Sequence, residues 1–373
     1  MNSRSPDLVL TALRDPTFLR GLSGPQWDLL MRQANQAHMW ARLACLVQAQ
    51  GAAADVPAGP AAHLEGAQRL VRAHRAEVER EVEHVRLALA PLGVRVILLK
   101  GAAYLKAGLP AAQGRLFTDI DILVPKAGLA EVESALMLHG WATTHHSAYD
   151  QRYYRQWMHE LPPLMHIRRQ TALDVHHAIA PETGRWQPNS AKLQAAAIDL
   201  PGSPGLAVLA PADMVLHSMV HLLLNEELSH GLRDLSDIDL LLRDFGGQAG
   251  FWPHLVERAE ELGLQRALHH ALGCASEVLG TPLPESVRLA IAAWGPAGWA
   301  DALLHAAWRR GLRSPHPSAA DRWTGLALFF LYVRAHWLRM PPLMLTRHLS
   351  IKALGLNLSR AERAELRAAR RKV

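Results

Sequence analysis

RVILLKGAAYLKAGLPAAQGRLFTDIDILVPKAG, residues 95–128, decides how the rest of the chain is read. The run VRVILLK (94–100) is β-branched and continuously apolar, the pattern of a strand buried on both faces. Gly101 follows it and opens a short helix. TDIDILVP (118–125) reads as a second strand, closed by Pro125. On a strand, residues i and i+2 share a face, so Asp119 and Asp121 project side by side while Ile120 and Ile122 turn into the core. Two carboxylates so placed repel in a half-buried setting, and one is driven to hold a proton unless a cation intervenes. Hard cations such as Mg²⁺ take oxygen ligands, commonly a carboxylate or two plus substrate phosphates. An isolated D-x-D is more often a strand cap beside an exposed acid. Here the apolar residues around the pair and the strand–glycine–helix unit upstream favour the metal reading.

Working outward, PLMHIRR (163–169), TALDVHHAI (171–179) and GLAVLA (205–210) are further strand candidates, and AGLAEVESALMLHGW (127–141) is an amphipathic helix closed by Gly140. Residues 92–209 therefore read as a small α/β core with a mixed sheet. Residues 1–91 read as an N-terminal helical region. PQWDLLMRQANQAHMWARLACLVQAQ (25–50) places Trp27, Leu30, Met31, Ala34 and Ala37 at helical spacing, and the stretch from Ala58 ends near the stop signals Pro91 and Gly93. From Pro211 helical patterns return, giving a C-terminal helical domain over 210–373. Its last helix opens at Ser359, where SRAE has capping-box form with Glu362. GLALFFLYV (325–333) is too short to span a bilayer and reads as a core helix. The expected fold class is α+β and helix-rich, a small mixed sheet flanked by helical regions on both sides.

The composition is that of a globular protein: 373 residues, 49% apolar, 20% charged, formal net charge +6. That mild excess suits a phosphate-bearing small molecule, and the dense basic track of a long nucleic-acid binder is missing. The densest basic run, RAARRKV (367–373), reads as a solvated helix end. Cys45 and Cys274 form no CxxC pattern. The N-terminal MNSRSPDLVLTALRDP carries no signal-peptide hydrophobic region, so a soluble protein of the reducing cytoplasm is expected, although a disulfide between the two cysteines stays open.

Asp174 is the third carboxylate, with Leu173 and Val175 on the opposite strand face and His176, beside it in sequence, read as facing the other way. Three strand-borne aspartates converging on one edge would hold two metals, one activating an attacking hydroxyl and one binding a triphosphate and its leaving pyrophosphate. A glycine at position 101 lets backbone amides approach phosphate, and Lys100 can pair with phosphate oxygens; the dipeptide alone is a weak signal, and neither a P-loop nor GxGxxG is present. His217 and His221, spaced i, i+4 after Asp213, could bind zinc. HSMVH, however, has Ser218 where a zinc protease needs glutamate, so packing, hydrogen bonding or substrate contact is the preferred role. Arg233, Asp234 and Asp237 read as an internal network fixing their helix. The doublets His145–His146 and His176–His177 carry little weight in a chain with 21 histidines.

Taken together, LLKG, R-x-x-x-DIDILV and LDVHH resemble the uncharacterised nucleotidyltransferase family of the DNA polymerase β-like superfamily. PADMVLHSMVHLLLN and LRDLSDIDLLL are similar to its helical segment, so the resemblance runs from about Val94 to Arg243. It implies that Gly101 is the glycine of the superfamily's phosphate-side turn, that Asp119 and Asp121 are the metal-binding pair, and that Asp174 is a further metal ligand or the general base. Lys100 and Arg115 match basic positions assigned to phosphate contact. Ala102 departs from the serine or second glycine usual there, and the interval from Gly101 to Asp119 is long. The implied reaction moves a nucleoside monophosphate from NTP, with ATP the first choice, to an acceptor hydroxyl in a two-Mg²⁺ site. The acceptor would be a small molecule or a protein. Two alternatives remain open: a nucleotide-binding module of the same fold without catalysis, and a His/Asp metal-dependent phosphohydrolase built on His217 and His221.

Overall fold

The computed structural model describes residues 7–144, 151, 153–296, 298–341 and 345–346. The apolar run after Gly93 forms strand β1 (Val96–Leu98), buried at all three positions. The aspartate strand is β2 (Asp119–Leu123), and β3 (Trp141–Thr143), β4 (Leu164–His166), β5 (Ala172–His176), β6 (Ile198–Asp199) and β7 (Leu206–Val208) follow. They form one mixed sheet in the order β3-β4-β5-β2-β1-β7-β6. β2 lies between two different neighbours, antiparallel to β1 and parallel to β5. The parallel register sets Asp121 directly against Asp174, and Leu123 against His176.

Strands β3 and β6 are absent from the sequence expectation. Gly140, at φ +97°, turns the chain out of the preceding helix straight into β3, so Trp141 starts a strand instead of ending the helix. β6 is two exposed residues, too short to show any period.

The helices account for most of the chain, so the fold is helix-rich α+β. α1 (Leu8–Arg14), α2 (Gly24–Gln36) and α3 (Trp40–Ala49) open it. The periodic stretch 25–50 is thus two helices, broken where His38 takes φ +55°. α4 (Ala58–Leu89) runs 32 residues, about 48 Å at 1.5 Å per residue, and buries Val78, Val82, Val85 and Leu89 along one stripe. Glu81, also buried, receives Arg169 Nε at 2.6 Å and the Thr171 hydroxyl at 2.7 Å, which ties α4 to the β4–β5 turn. α5 (Lys100–Lys106) follows β1 and α6 (Leu129–Leu138) follows β2; α7 (Ser190–Ala196) precedes β6.

α8 (Pro211–Leu224) buries twelve of its fourteen residues, as an apolar all-round helix must. α9 (Gly231–Phe245) packs against it. α10 (Phe251–Glu261) supplies Arg258, whose guanidinium holds buried Asp213 of α8 at 2.7 and 2.9 Å. α11 (Gln265–Cys274), α12 (Glu285–Ala292), α13 (Trp299–Gly311) and α14 (Thr324–Arg339) complete the described helices. α14 corrects one expectation. GLALFFLYV does form a helix, but it is not a core helix: Ala327 and Leu331 are buried, while Phe329 is 64% and Leu326 60% exposed. No helix among the described residues is long and apolar enough to cross a membrane. Cys45 and Cys274 are free thiols. His145, His146, the SRAE box and RAARRKV lie outside the described residues.

Candidate active site

The period-2 geometry of β2 and the in-register pairing with β5 bring Asp119, Asp121 and Asp174 together, with one oxygen of each within 4.8 Å of the others. Asp121 is buried; Asp119 and Asp174 are half-buried at the mouth. Burial, with Asp121 and Glu160 nearby, pushes Asp174 up to about 7. Such crowding of carboxylates is what a bound cation relieves, and an all-oxygen donor set fits a hard divalent ion.

Two cationic groups already sit on Asp121. Lys100 Nζ lies 2.7 Å from Oδ1, and His176 Nε2 donates to the same oxygen at 3.0 Å. Burial alone would raise the Asp121 carboxyl; the Lys100 ammonium and the His176 ring overcome that and hold it well below the usual carboxylate range. Asp121 and Asp119 in turn keep Lys100 charged against its own burial. His176 Nδ1 faces Glu160 Oε2 at 3.2 Å, so both ring nitrogens look at carboxylates. Burial opposes the charge on this ring, but Asp121 and Glu160 win and raise its pKa.

Here the sequence expectation for His176 is corrected. His176 is two residues beyond Asp174, so the pleat places both on one face, and the ring points at Asp121. The period that located the aspartates is also the signal that locates His176. Glu160 had no such signal. It reaches the site from the segment before β4, through an isolated bridge opposite His176.

Lys100 adopts φ +46°, a left-handed conformation that a non-glycine residue holds at a cost of about 1–2 kcal/mol. The bend aims its ammonium back at β2. Gly101 is needed for space: a Cβ there would sit 2.5 Å from Arg115 Nη1 and 2.6 Å from the Phe117 ring. Arg115 is buried against Tyr104 and Phe117, and its Nε donates to Asp237 Oδ2 at 2.5 Å. Arg42 of α3 lies 2.8 Å from the other Asp237 oxygen and donates to the Ser236 hydroxyl at 2.7 Å. The Arg–Asp network expected on α9 is present and extends to Arg42 and Arg115, with Arg233 held on Asp234 at 2.9 Å. The structure thus groups Lys100 with the three aspartates and holds Arg115 in that network, from which it lines the same cavity as Lys100, Asp119 and Asp121. Gly114, at φ +65°, lets the connecting loop press against α3, where a Cβ would lie 2.5 Å from Arg42 Cα.

Two cavities meet at the carboxylates. The larger, about 560 Å³, is lined by Trp40, Phe117, Thr118, Asp121, Arg233 and their neighbours. The smaller, about 260 Å³, is lined by His159, Glu160, Asp174, His176, His217 and Arg339 among others. Lys100, Asp119, His221 and Asn225 line both. His217 and His221 therefore face the site from α8. Burial and then Lys100 hold both well below the ordinary histidine value, so they are neutral, and neither joins a potential metal-ligand cluster among the described residues.

A family model described as uncharacterised nucleotidyltransferase matches residues 23–280, which takes in α3, α4, the whole sheet, and α8 to α11. No curated protein and no solved structure matches the chain.

Proposed function

The chain belongs to the uncharacterised nucleotidyltransferase family, and from that premise we propose that it moves a nucleoside monophosphate from NTP, ATP being the first donor to test, to an acceptor hydroxyl with release of pyrophosphate. One observation carries the reading: three carboxylates on neighbouring strands β2 and β5 stand where a larger and a smaller cavity join, with Lys100 and Asp119 facing both.

The larger cavity has the size of a nucleotide pocket and offers Trp40 and Phe117 for a base, Lys100 and Arg233 for phosphates. The smaller cavity admits a small molecule or one protein side chain bearing the acceptor hydroxyl, and a long nucleic acid is not its natural occupant. Asp119, Asp121 and Asp174 would hold Mg²⁺, which when bound offsets their mutual repulsion and the charge of the triphosphate. The acceptor oxygen attacks the α-phosphorus, the bond to the β-phosphate oxygen breaks, and pyrophosphate leaves toward Lys100 and Arg233. Asp174, on the acceptor side, takes the hydroxyl proton. His176, held by Asp121 and Glu160, fixes the orientation of Asp121. Most of the barrier reduction comes from holding the reactants in line and from fixed charge, with no covalent intermediate.

The test is binding of ATP, CTP, GTP and UTP with Mg²⁺ to wild type and to Asp119→Ala/Asp121→Ala, followed by an acceptor screen with the labelled preferred nucleotide. Metal-dependent binding that the double variant loses is the expected result. Folded wild type that binds none of the four overturns the donor assignment. Binding without transfer to any acceptor would favour the nucleotide-binding module.

A further inference from the structure

α11 and α13 cross where three imidazoles meet one carboxylate: His269 and His270 on α11, Asp301 and His305 on α13. One donor atom of each lies within 4.8 Å of all the others. The nearest Asp301 oxygen is 3.4 Å from His269 Nε2, 3.5 Å from His305 Nε2 and 3.8 Å from His270 Nδ1. Ligands on a tetrahedral Zn²⁺, with bonds of about 2.0–2.1 Å, stand roughly 3.3 Å apart. The three Asp301–histidine separations are already close to that spacing.

Hydrogen bonding sets which nitrogens face inward. His269 Nδ1 is 2.9 Å from the Ile291 carbonyl oxygen, which can only accept, so this nitrogen carries a proton and Nε2 is the one turned to Asp301, 3.4 Å from each of its oxygens. His305 Nδ1 is 2.9 Å from Glu277 Oε1, which leaves its Nε2 as the nitrogen facing inward. Both Nε2 atoms thus face the Asp301 carboxylate, so positive charge belongs between them, either a proton on each ring or one metal ion held by all three side chains. His270 Nδ1 and His305 Nε2 are buried without a hydrogen-bond partner among the described residues, and His270 is only 4% exposed. Leaving one such nitrogen unsatisfied costs about 1–3 kcal/mol.

The backbone makes room for the rings. A Cβ on Gly273 would lie 2.5 Å from His305 Cε1, and one on Gly295 would lie 2.5 Å from His269 Nε2. Asp301 is 27% exposed and gives an ion its way in. The histidine pair lies within the stretch matched by the family model, whereas Asp301 and His305 lie beyond it.

We propose that His269 Nε2, His270 Nδ1, His305 Nε2 and an Asp301 carboxylate oxygen form a four-coordinate Zn²⁺ site that staples α11 to α13. Four protein donors leave no open position, so the site is structural and separate from the carboxylate centre. Glu277 and the Ile291 carbonyl orient the ligands.

The experiment uses tag-free, full-length protein carrying Asp119→Ala/Asp121→Ala/His176→Ala, which breaks both the aspartate trio and the neighbouring His159–Glu160–His176 group. After chelation, Zn²⁺ is restored, excess is removed by gel filtration, and zinc per chain is measured. One equivalent is expected, with a raised melting temperature, and Co²⁺ in its place should give the visible absorption of a tetrahedral centre. Adding Asp301→Asn, which keeps the side-chain volume, or His305→Ala should remove the equivalent. Glu277→Gln should weaken binding about 10–100-fold while circular dichroism stays unchanged. Protein that takes up no stoichiometric zinc overturns the proposal, as does zinc retained undiminished when Asp301 and His305 are both replaced.

Discussion

Two buried charge clusters lie within a few residues of each other, and they are built on opposite plans. In the clasp of α3, α9 and the loop that carries Arg115, Arg42 and Arg115 share the Asp237 carboxylate with side-chain exposures of 3–5%. At the edge of β2 and β5, three aspartates and Glu160 outnumber Lys100 and His176, and two cavities open onto them. The clasp pairs buried cations on a shared carboxylate and meets the larger cavity only at its edge, through Arg115; the carboxylate centre opens onto both cavities and carries surplus negative charge, visible in Asp174 pushed up to about 7. A buried cluster of paired charges holds helices together. One with surplus negative charge facing a cavity has its missing charge supplied from outside, which is why the second cluster and not the first is read as the site.

The contrast can be broken by experiment. The largest expected effect is on transfer: Asp119→Ala/Asp121→Ala should lower the rate by at least about 10³-fold, because both candidate metal ligands are lost while the fold is kept. Labelled-nucleotide transfer alongside a melting curve checks both halves, and a variant that still transfers sinks the site assignment. Next, Asp237→Ala should cost about 3–5 kcal/mol in urea unfolding, since it strands two buried guanidinium groups. A loss under about 1 kcal/mol there would mean that the clasp is not the structural unit described.

Adding Mg²⁺ should stabilise wild type by about 2–3 kcal/mol near a hundredfold excess over its dissociation constant, and should leave the Asp119→Ala/Asp121→Ala protein unmoved. Equal stabilisation of both would place the ion elsewhere. The smallest effect concerns Glu81, a balanced pair with Arg169. Burial opposes its charge, but Arg169 and Thr171 prevail and lower its pKa below the ordinary 4.5. A depressed carboxylate contributes stability above its ordinary pKa and loses it as pH falls through the folded value. Wild type should therefore exceed Glu81→Gln by at most about 1 kcal/mol near neutral pH, and the gap should close below about pH 4. A gap that widens on acidification would reverse the assigned sign.

Much of the site was legible because its spacing is local. Asp119, Asp121 and Asp174 each sit on a strand whose apolar neighbours declare the period, so their shared face follows from counting by two. His176 was readable by the same count and misread. Glu160, Trp40, His221 and Asn225 carry no such mark, since each reaches the cavities from a different element. β3 and β6 escaped because three and two residues show no period. The composition of α14 suggests a core helix, but composition reports how apolar a segment is and not which of its faces is covered.

The sequence by itself determined the strand–glycine–helix unit, the D-x-D strand, the third aspartate and the helix-rich surroundings, because these depend on neighbours no more than four residues apart. Tertiary structure decided what each charge does. It turned Lys100 onto Asp121, drew Arg115 into the clasp with Asp237, and brought His269 and His270 against Asp301 and His305 from another helix. Charges interact through space, and which of them meet is set by how sheet and helices pack rather than by their distance along the chain.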